Sequence, residues 1–472
     1  MEEKPHLMKN TALLGVTAFV SKAVSFILMP LYTSCLSPSE YGTADILIST
    51  AVLLLPWVSF NAPEAIFRFS AGGENPGAVL GAGLFSLLPG SFFFLLFLLF
   101  SAFSPIFSGV LPLLFCYLAG AGLHSFAATL VRARGDYTLF SVQQLFCTLL
   151  TVLLELLFLP IFALGVAGYL SAIFLADAVT AVILLLLLHR RGELRPTRFP
   201  RSLLLSMWRY AFPLIPTSAL WWVISLSDRY VLLRYHGEAA TGIYAAAGKI
   251  PALLTFVTGI FLEVWRYASL RVKREECAAF FGRIYGCFLP AVFAFTAFLI
   301  TFGDPAVSFL FSSAYASASH LIPTLSLAAL FSALASFLGS IYARQLTSFR
   351  SLLTALAGAL LNLTLNFLLI PRFAGQGAAL STLAAWIAVY ALRCADSRQI
   401  LPFSRRFGKT AVAFLLCALS AACATAGEIP AALLFAGAAL IPFWREAVSL
   451  CRIFVLFCQK MQKKLEKYQK ST

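Results

Sequence analysis

Apolar runs of roughly twenty residues recur along the whole chain, and they dictate what it can fold into. LLPGSFFFLLFLLFSAF, from Leu87 to Phe103, is one such run. A helix of that length crosses the hydrocarbon core with every backbone hydrogen bond made internally. The runs are continuous rather than alternating, which excludes the strands of a membrane barrel. Of 472 residues, 60% are hydrophobic and 12% charged, whereas a soluble domain carries about 25% charged residues. The fold class is therefore all-α and polytopic, in a membrane. The opening MEEKPHLMKN and the interruption at Lys22 do not read as a cleavable signal. Residues 11–32 are expected to be a retained first helix.

Hydropathy predicts about fourteen transmembrane helices. Cationic residues test that count. With the N-terminus inside, the inner segments hold Lys4, Lys9, Arg68, Arg132, Arg134, Arg190, Arg191, Arg344, Arg350, Arg405, Arg406 and many more, while the outer loops hold only Arg234 and Arg372. Such asymmetry fixes orientation, with both termini cytoplasmic. It also accounts for the net charge of +15 through the anionic inner leaflet, so no nucleic acid partner is expected. The implied domains are an N-terminal lobe of six helices (1–188), a cytoplasmic inter-lobe loop (189–207), a C-terminal lobe of six helices (208–398), two additional helices (399–446) and a basic amphipathic tail (447–472).

Two corners of the chain resemble each other. LFLPIFALGVAGYLSAIF, from Leu157, is echoed by FLLIPRFAGQGAALSTLA, from Phe367. Pro160, Phe162, Ala163, Leu170 and Ser171 match Pro371, Phe373, Ala374, Leu380 and Ser381, roughly 210 residues on. A polar residue precedes each proline inside an apolar helix, Glu155 in one and Asn366 in the other. Gly42, in the opening corner, has a fainter counterpart in Gly242. The two lobes therefore read as parallel copies of one unit, an architecture that places a site between repeats.

PLYTSCLSPSEYGTADI and LNLTLNFLLIPRFAGQGAALSTLAAW resemble helix-corner motifs of the polysaccharide-export and oligosaccharide-flippase branch of the MOP superfamily. That superfamily also contains lipid II flippases and MATE drug exporters. The resemblance covers nearly the whole chain. It implies two lobes facing a central cavity, alternating access, and a polyprenyl-pyrophosphate-linked oligosaccharide turned from the inner to the outer leaflet of a bacterial plasma membrane. Membrane lipids and enzymes of polysaccharide biosynthesis are the other implied partners. Two helices beyond twelve keep lipid II open as an alternative substrate.

An ionisable side chain in mid-bilayer costs roughly 2.5–3.5 kcal/mol on insertion scales, so it faces a cavity or a partner. Lys22 lies about ten residues from either end of its helix, ~15 Å from each interface. It is the first candidate to hold the pyrophosphate. Asp177 is predicted at similar depth, either as a salt-bridge partner of Lys22 or as a coupling-ion site. Arg229 and Lys249 are further substrate-binding candidates, with Asp228 as a charge partner. Arg68 fits an inner vestibule, and Glu64, four residues earlier, is placed to pair with it. Pro213, Pro216 and Pro251 are expected inside helices as bending points. Asp45 and Glu155 are expected near interfaces.

A drug/cation antiporter needs a cavity dominated by acids, which Asp177 beside Lys22 does not supply. The ten cysteines are scattered without a CxxC or Cys/His cluster, so no metal or cofactor is expected. The longest outer segment offers only Asp304 and His320. With no paired carboxylates and no nucleophile constellation, the chain does not read as an enzyme.

Overall fold

The computed structural model describes residues 15–17, 19–101, 111–270, 272–273, 275–345 and 348–444. The expected tail at 447–472 lies outside them, as do Lys4, Lys9, Arg271 and Arg274. Among the described residues there is no strand, and eleven helices are long and apolar enough to cross a membrane. Two of these fold back on themselves. Arg201–Leu262 turns at Gly237 (φ 79°, ψ −176°), and Phe349–Ile400 turns at Ala374 (φ 47°, ψ −129°). Counting each as two passes, and adding the shorter apolar helix Ile429–Phe443, accounts for the fourteen passes read from hydropathy. The described residues fall into two compact units. One lies within Met1–Ala245 and Leu310–Tyr315, the other within Ala246–Phe309 and Ala316–Thr472.

In the first unit, local chemistry starts the helices. Ser37 and Glu40 form a reciprocal capping box on Pro38–Val58, with Pro38 in the first turn where its missing N–H is harmless. Asp136 caps Tyr137–Phe158 by accepting from the Leu139 amide at 2.9 Å, and it pairs with Arg191. The Leu139 amide first, and then Arg191, hold its carboxyl below the ordinary carboxylate range. Gly42 and Gly242 meet backbone to backbone. A Cβ on Gly42 would lie 2.1 Å from the Glu238 carbonyl oxygen, and one on Gly242 would lie 1.8 Å from that of Pro38.

Within the expected loop 189–207, the segment Arg201–Ala211 begins a helix. Its Leu203, Leu204, Met207 and Ala211 are buried against Ile66, Val79, Leu130 and Leu184. Leu or Met to Ala substitutions in such a core cost about 2–5 kcal/mol. The helix ends at Phe212, and the next begins at Leu214. Pro213 thus sits in a break and Pro216 in a first turn, not inside a helix as expected; only Pro251 is interior. A proline lacks the N–H that a continuing helix would need, so the helix ends there.

The two matched corners use the same backbone device. Ala163 has φ 50° and Ala374 φ 47°, a region that alanine seldom enters. The polar residue before each proline is buried in its own unit. Glu155 accepts from Tyr32 Oη at 2.8 Å, and Asn366 donates to Asn362 Oδ1 at 2.9 Å. Glu155 is only 1% exposed, so its carboxyl is enclosed by the protein, close to the end of Tyr137–Phe158.

The core of the second unit is aromatic. Trp265, Phe281, Tyr285 and Phe337 pack together, and the Tyr285 and Tyr390 hydroxyls lie 2.8 Å apart. Arg393 is 1% exposed and donates to the Ala335 carbonyl oxygen at 2.7 Å. Gly339 makes room for it, since a Cβ there would lie 2.8 Å from its Nη1.

Candidate functional site

Four helices of the first unit contribute to a cavity of about 460 Å³: Gly15–Cys35, Leu111–Ala133, Tyr137–Phe158 and Gly165–Arg190. Lys22 and Asp177 both line it. Hydroxyls line it too, from Ser21, Ser25, Thr148 and Thr151, and Thr148 donates to Ser21 Oγ at 2.8 Å. Glu155 and Tyr32 lie on the same wall. A polar lining inside four apolar helices is costly in a bilayer unless it serves a polar occupant or water.

Asp177 is held by His124. Its Oδ1 lies 2.7 Å from His124 Nδ1, and Cys147 Sγ donates to that same oxygen at 3.4 Å. The other ring nitrogen of His124 lies 2.7 Å from Gln143 Oε1. The chain Asp177–His124–Gln143 thus runs across three helices. Gln143 Nε2 is buried with no partner among the described residues. With Oε1 facing the ring, His124 has an acceptor at both nitrogens and suits the doubly protonated form. With the amide turned over, Nε2 would donate to a neutral ring. The donor atoms of His124, Cys147 and Asp177 lie within 4.8 Å of one another, a His/Cys/carboxylate set of the kind soft divalent ions accept.

The other expected site residues lie elsewhere. Arg229 bonds Asp45 through Nε and reaches Asp228 Oδ1 at 3.3 Å through Nη1. Asp228 also accepts from the Tyr244 hydroxyl and is buried. The expected Asp228–Arg229 pairing is therefore present, with Asp45 as a second carboxylate. Arg68 is exposed in the last turn of Ala62–Ala71 and forms no ion pair with Glu64. The two side chains extend into open surroundings, where such a pair gains little. Lys249 is exposed in the second unit. None of Arg68, Arg229, Asp228 and Lys249 lines the 460 Å³ cavity.

Sequence reasoning missed His124, Gln143 and Cys147. His124 is a polar residue within an apolar run, which was a usable signal. Gln143 is uncharged and Cys147 is most often a small apolar filler. Their convergence depends on three helices packing and leaves no local motif.

Helical throughout its described residues, with about fourteen passes and a polar cavity inside one unit, the chain is a multi-pass membrane protein. The family model described as "Polysaccharide biosynthesis protein" matches residues 7–265, more than half of the chain, and the chain belongs to that family, within the MOP superfamily. Among solved structures, 93% of the chain superposes on the whole of a lipid II flippase MurJ in an inward closed conformation, with TM-score 0.65 and 12% identity. An outward-facing multidrug resistance MATE family transporter of the MOP superfamily matches 84% of the chain over 97% of its own, with TM-score 0.58 and 17% identity. An inward-facing multidrug resistance MATE family transporter of the MOP superfamily matches 82% of the chain over 98% of its own, with TM-score 0.59 and 14% identity. At these identities the likeness is one of fold. No match was found among curated proteins.

Proposed function

We propose that this protein turns a polyprenyl-pyrophosphate-linked oligosaccharide from the inner to the outer leaflet by alternating access, for cell-surface polysaccharide biosynthesis. In this reading it lies in a bacterial plasma membrane with both termini cytoplasmic. The observation that carries the reading is Lys22, a cation on the wall of a hydroxyl-rich cavity built from apolar helices. An ammonium is a compact point charge suited to a pyrophosphate, and the Ser and Thr hydroxyls suit a sugar. Arg68 and Lys249, which do not line this cavity, remain further substrate-binding candidates in this reading. Arg229, already neutralised by two carboxylates, fixes Pro38–Val58 against the helix that follows Leu214.

The chain Asp177–His124–Gln143 supplies the coupling. A proton on His124 favours one orientation of the Gln143 amide, and its loss favours the other. His124, which lines the cavity, then has two hydrogen-bonding arrangements with the buried Gln143 behind it, and proton occupancy selects between them. Transport would be tested in proteoliposomes, by following the appearance of a labelled polyprenyl-pyrophosphate oligosaccharide on the far leaflet with and without a proton gradient.

Lipid II is the second reading. It is favoured by the two passes beyond twelve and by the superposition on the whole of a lipid II flippase. Both substrates carry the same pyrophosphate, so Lys22 serves either. Parallel assays with the two lipids decide between them.

A further inference from the structure

In the second unit, a cavity of about 550 Å³ opens where the helix Ser348–Ile400 passes to the helix Phe407–Thr425. Arg398, Arg405, Arg406 and Lys409 line it, and no carboxylate does so among the described residues. Arg398 and Arg405 bring two positive charges to one recess, and an anion between them would offset their repulsion.

Two further observations point to an anion. Arg405 is 3% exposed, yet its Nε has no acceptor among the described residues. Its Nη atoms are fixed by Ser397 Oγ at 3.0 Å and by the carbonyl oxygens of Leu401 and Phe403, both at 3.1 Å. A buried guanidinium with an unmet donor is costly unless something completes it. Arg406, the residue that starts the next helix, is left-handed (φ 52°, ψ 40°) and provides no side-chain cap. The amides of Phe407 and Gly408 find no acceptor among the described residues. Uncapped first-turn amides carry the positive end of the helix dipole. The recess is also prebuilt: Phe403 lies under the Arg405 guanidinium at 4.5 Å and packs on Tyr285 and Phe281.

We propose that this recess binds the phosphate of an anionic phospholipid. The phosphate accepts from the basic side chains and from the helix amides. The acyl chains follow the exposed apolar face of Phe407, Val412, Leu415 and Leu419, which is why a lipid is favoured over soluble phosphate. The site is separate from the cavity around Lys22 and does not depend on the transport reading.

The test is equilibrium binding to the delipidated full-length protein in neutral detergent. The probes are fluorescent phosphatidylglycerol and phosphatidylcholine, with inorganic phosphate and glycerol 3-phosphate as competitors. Phosphatidylglycerol should bind and phosphatidylcholine should not. Arg398→Gln should weaken phosphatidylglycerol about tenfold, and Arg398→Gln with Lys409→Gln about a hundredfold, as expected for lost charge-assisted contacts. The lipid-free melting temperature, read alongside, should not move. Arg190→Gln with Arg201→Gln, exposed cations of the first unit, should leave binding unchanged. The proposal is overturned if both lipids bind equally, or if the first-unit variant weakens binding as much as the recess variants do. Equal competition by soluble phosphate would overturn the lipid assignment and give the recess to a soluble phosphate.

Discussion

His124 Nδ1 lies 2.7 Å from Asp177 Oδ1, joining the helices Leu111–Ala133 and Gly165–Arg190 across the wall of the first-unit cavity. Neither group would be stable alone in an apolar bundle, because a lone ionisable group at membrane depth is costly. Together they form a unit, and their variants should behave as one. His124→Gln and Asp177→Asn should each slow transport by about tenfold, and the double variant should be no slower than the worse single one. Rates from proteoliposomes check this; strictly multiplicative losses would contradict it.

Gly42 and Gly242 should tolerate no side chain. The Cβ positions lie 2.1 and 1.8 Å from backbone oxygens, which cannot move aside as a flexible side chain would. Gly42→Ala and Gly242→Ala should each destabilise the protein by about 1–3 kcal/mol, as overpacking does. Gly248, with open space around its Cβ, is the control, and Gly248→Ala should be neutral or slightly stabilising in its helix. Melting temperatures in detergent read the difference.

The corners make the opposite prediction. Ala163 and Ala374 hold positive φ with a Cβ attached, at a cost of about 1 kcal/mol or more. Ala163→Gly and Ala374→Gly should be neutral or stabilising by about 1 kcal/mol, despite glycine's entropic penalty. Ala163→Val and Ala374→Val should lower the melting temperature clearly, because a β-branched residue suits that backbone least.

Asp136 gives a pH-dependent case outside the membrane-spanning segments. Asp136→Ala removes the cap of Tyr137–Phe158 and should cost about 1 kcal/mol at neutral pH. The folded carboxyl titrates below its unfolded value. Its contribution is therefore complete above the unfolded pKa, about 3.9, and is lost as pH falls through the folded one. Melting curves of wild type and variant should differ at pH 7 and converge in acid. A gap that widens in acid would reverse the assigned sign.

Pass number and corners were legible because apolar length and Pro/Gly punctuation are local properties of the chain. The turn residues were only half legible: Pro160 and Pro371 mark the corners, but the alanines that adopt positive φ carry no signal of it. The helix Arg201–Ala211 was read mostly as loop because hydropathy averages over a window. Its apolar residues occupy one face, and Arg201, Ser202, Ser206 and Arg209 dilute the mean. At the site, Lys22 and Asp177 were legible as costly charges and do line one cavity. His124 and Gln143, the groups that engage Asp177, were not, since only the packing of three helices brings them together.

The central claim is that a cation inside the first-unit cavity handles a pyrophosphate-linked lipid, and transport by the Lys22→Ala variant tests it most directly. Purified wild type and variant, matched in melting temperature, are reconstituted in liposomes with a labelled polyprenyl-pyrophosphate oligosaccharide, and in parallel with lipid II. Label reaching the opposite leaflet is then followed over time. The account predicts transport of one or both lipids by wild type, and a loss of about tenfold or more in the variant. Equal transport by wild type and variant, or transport of neither lipid by wild type, would contradict it.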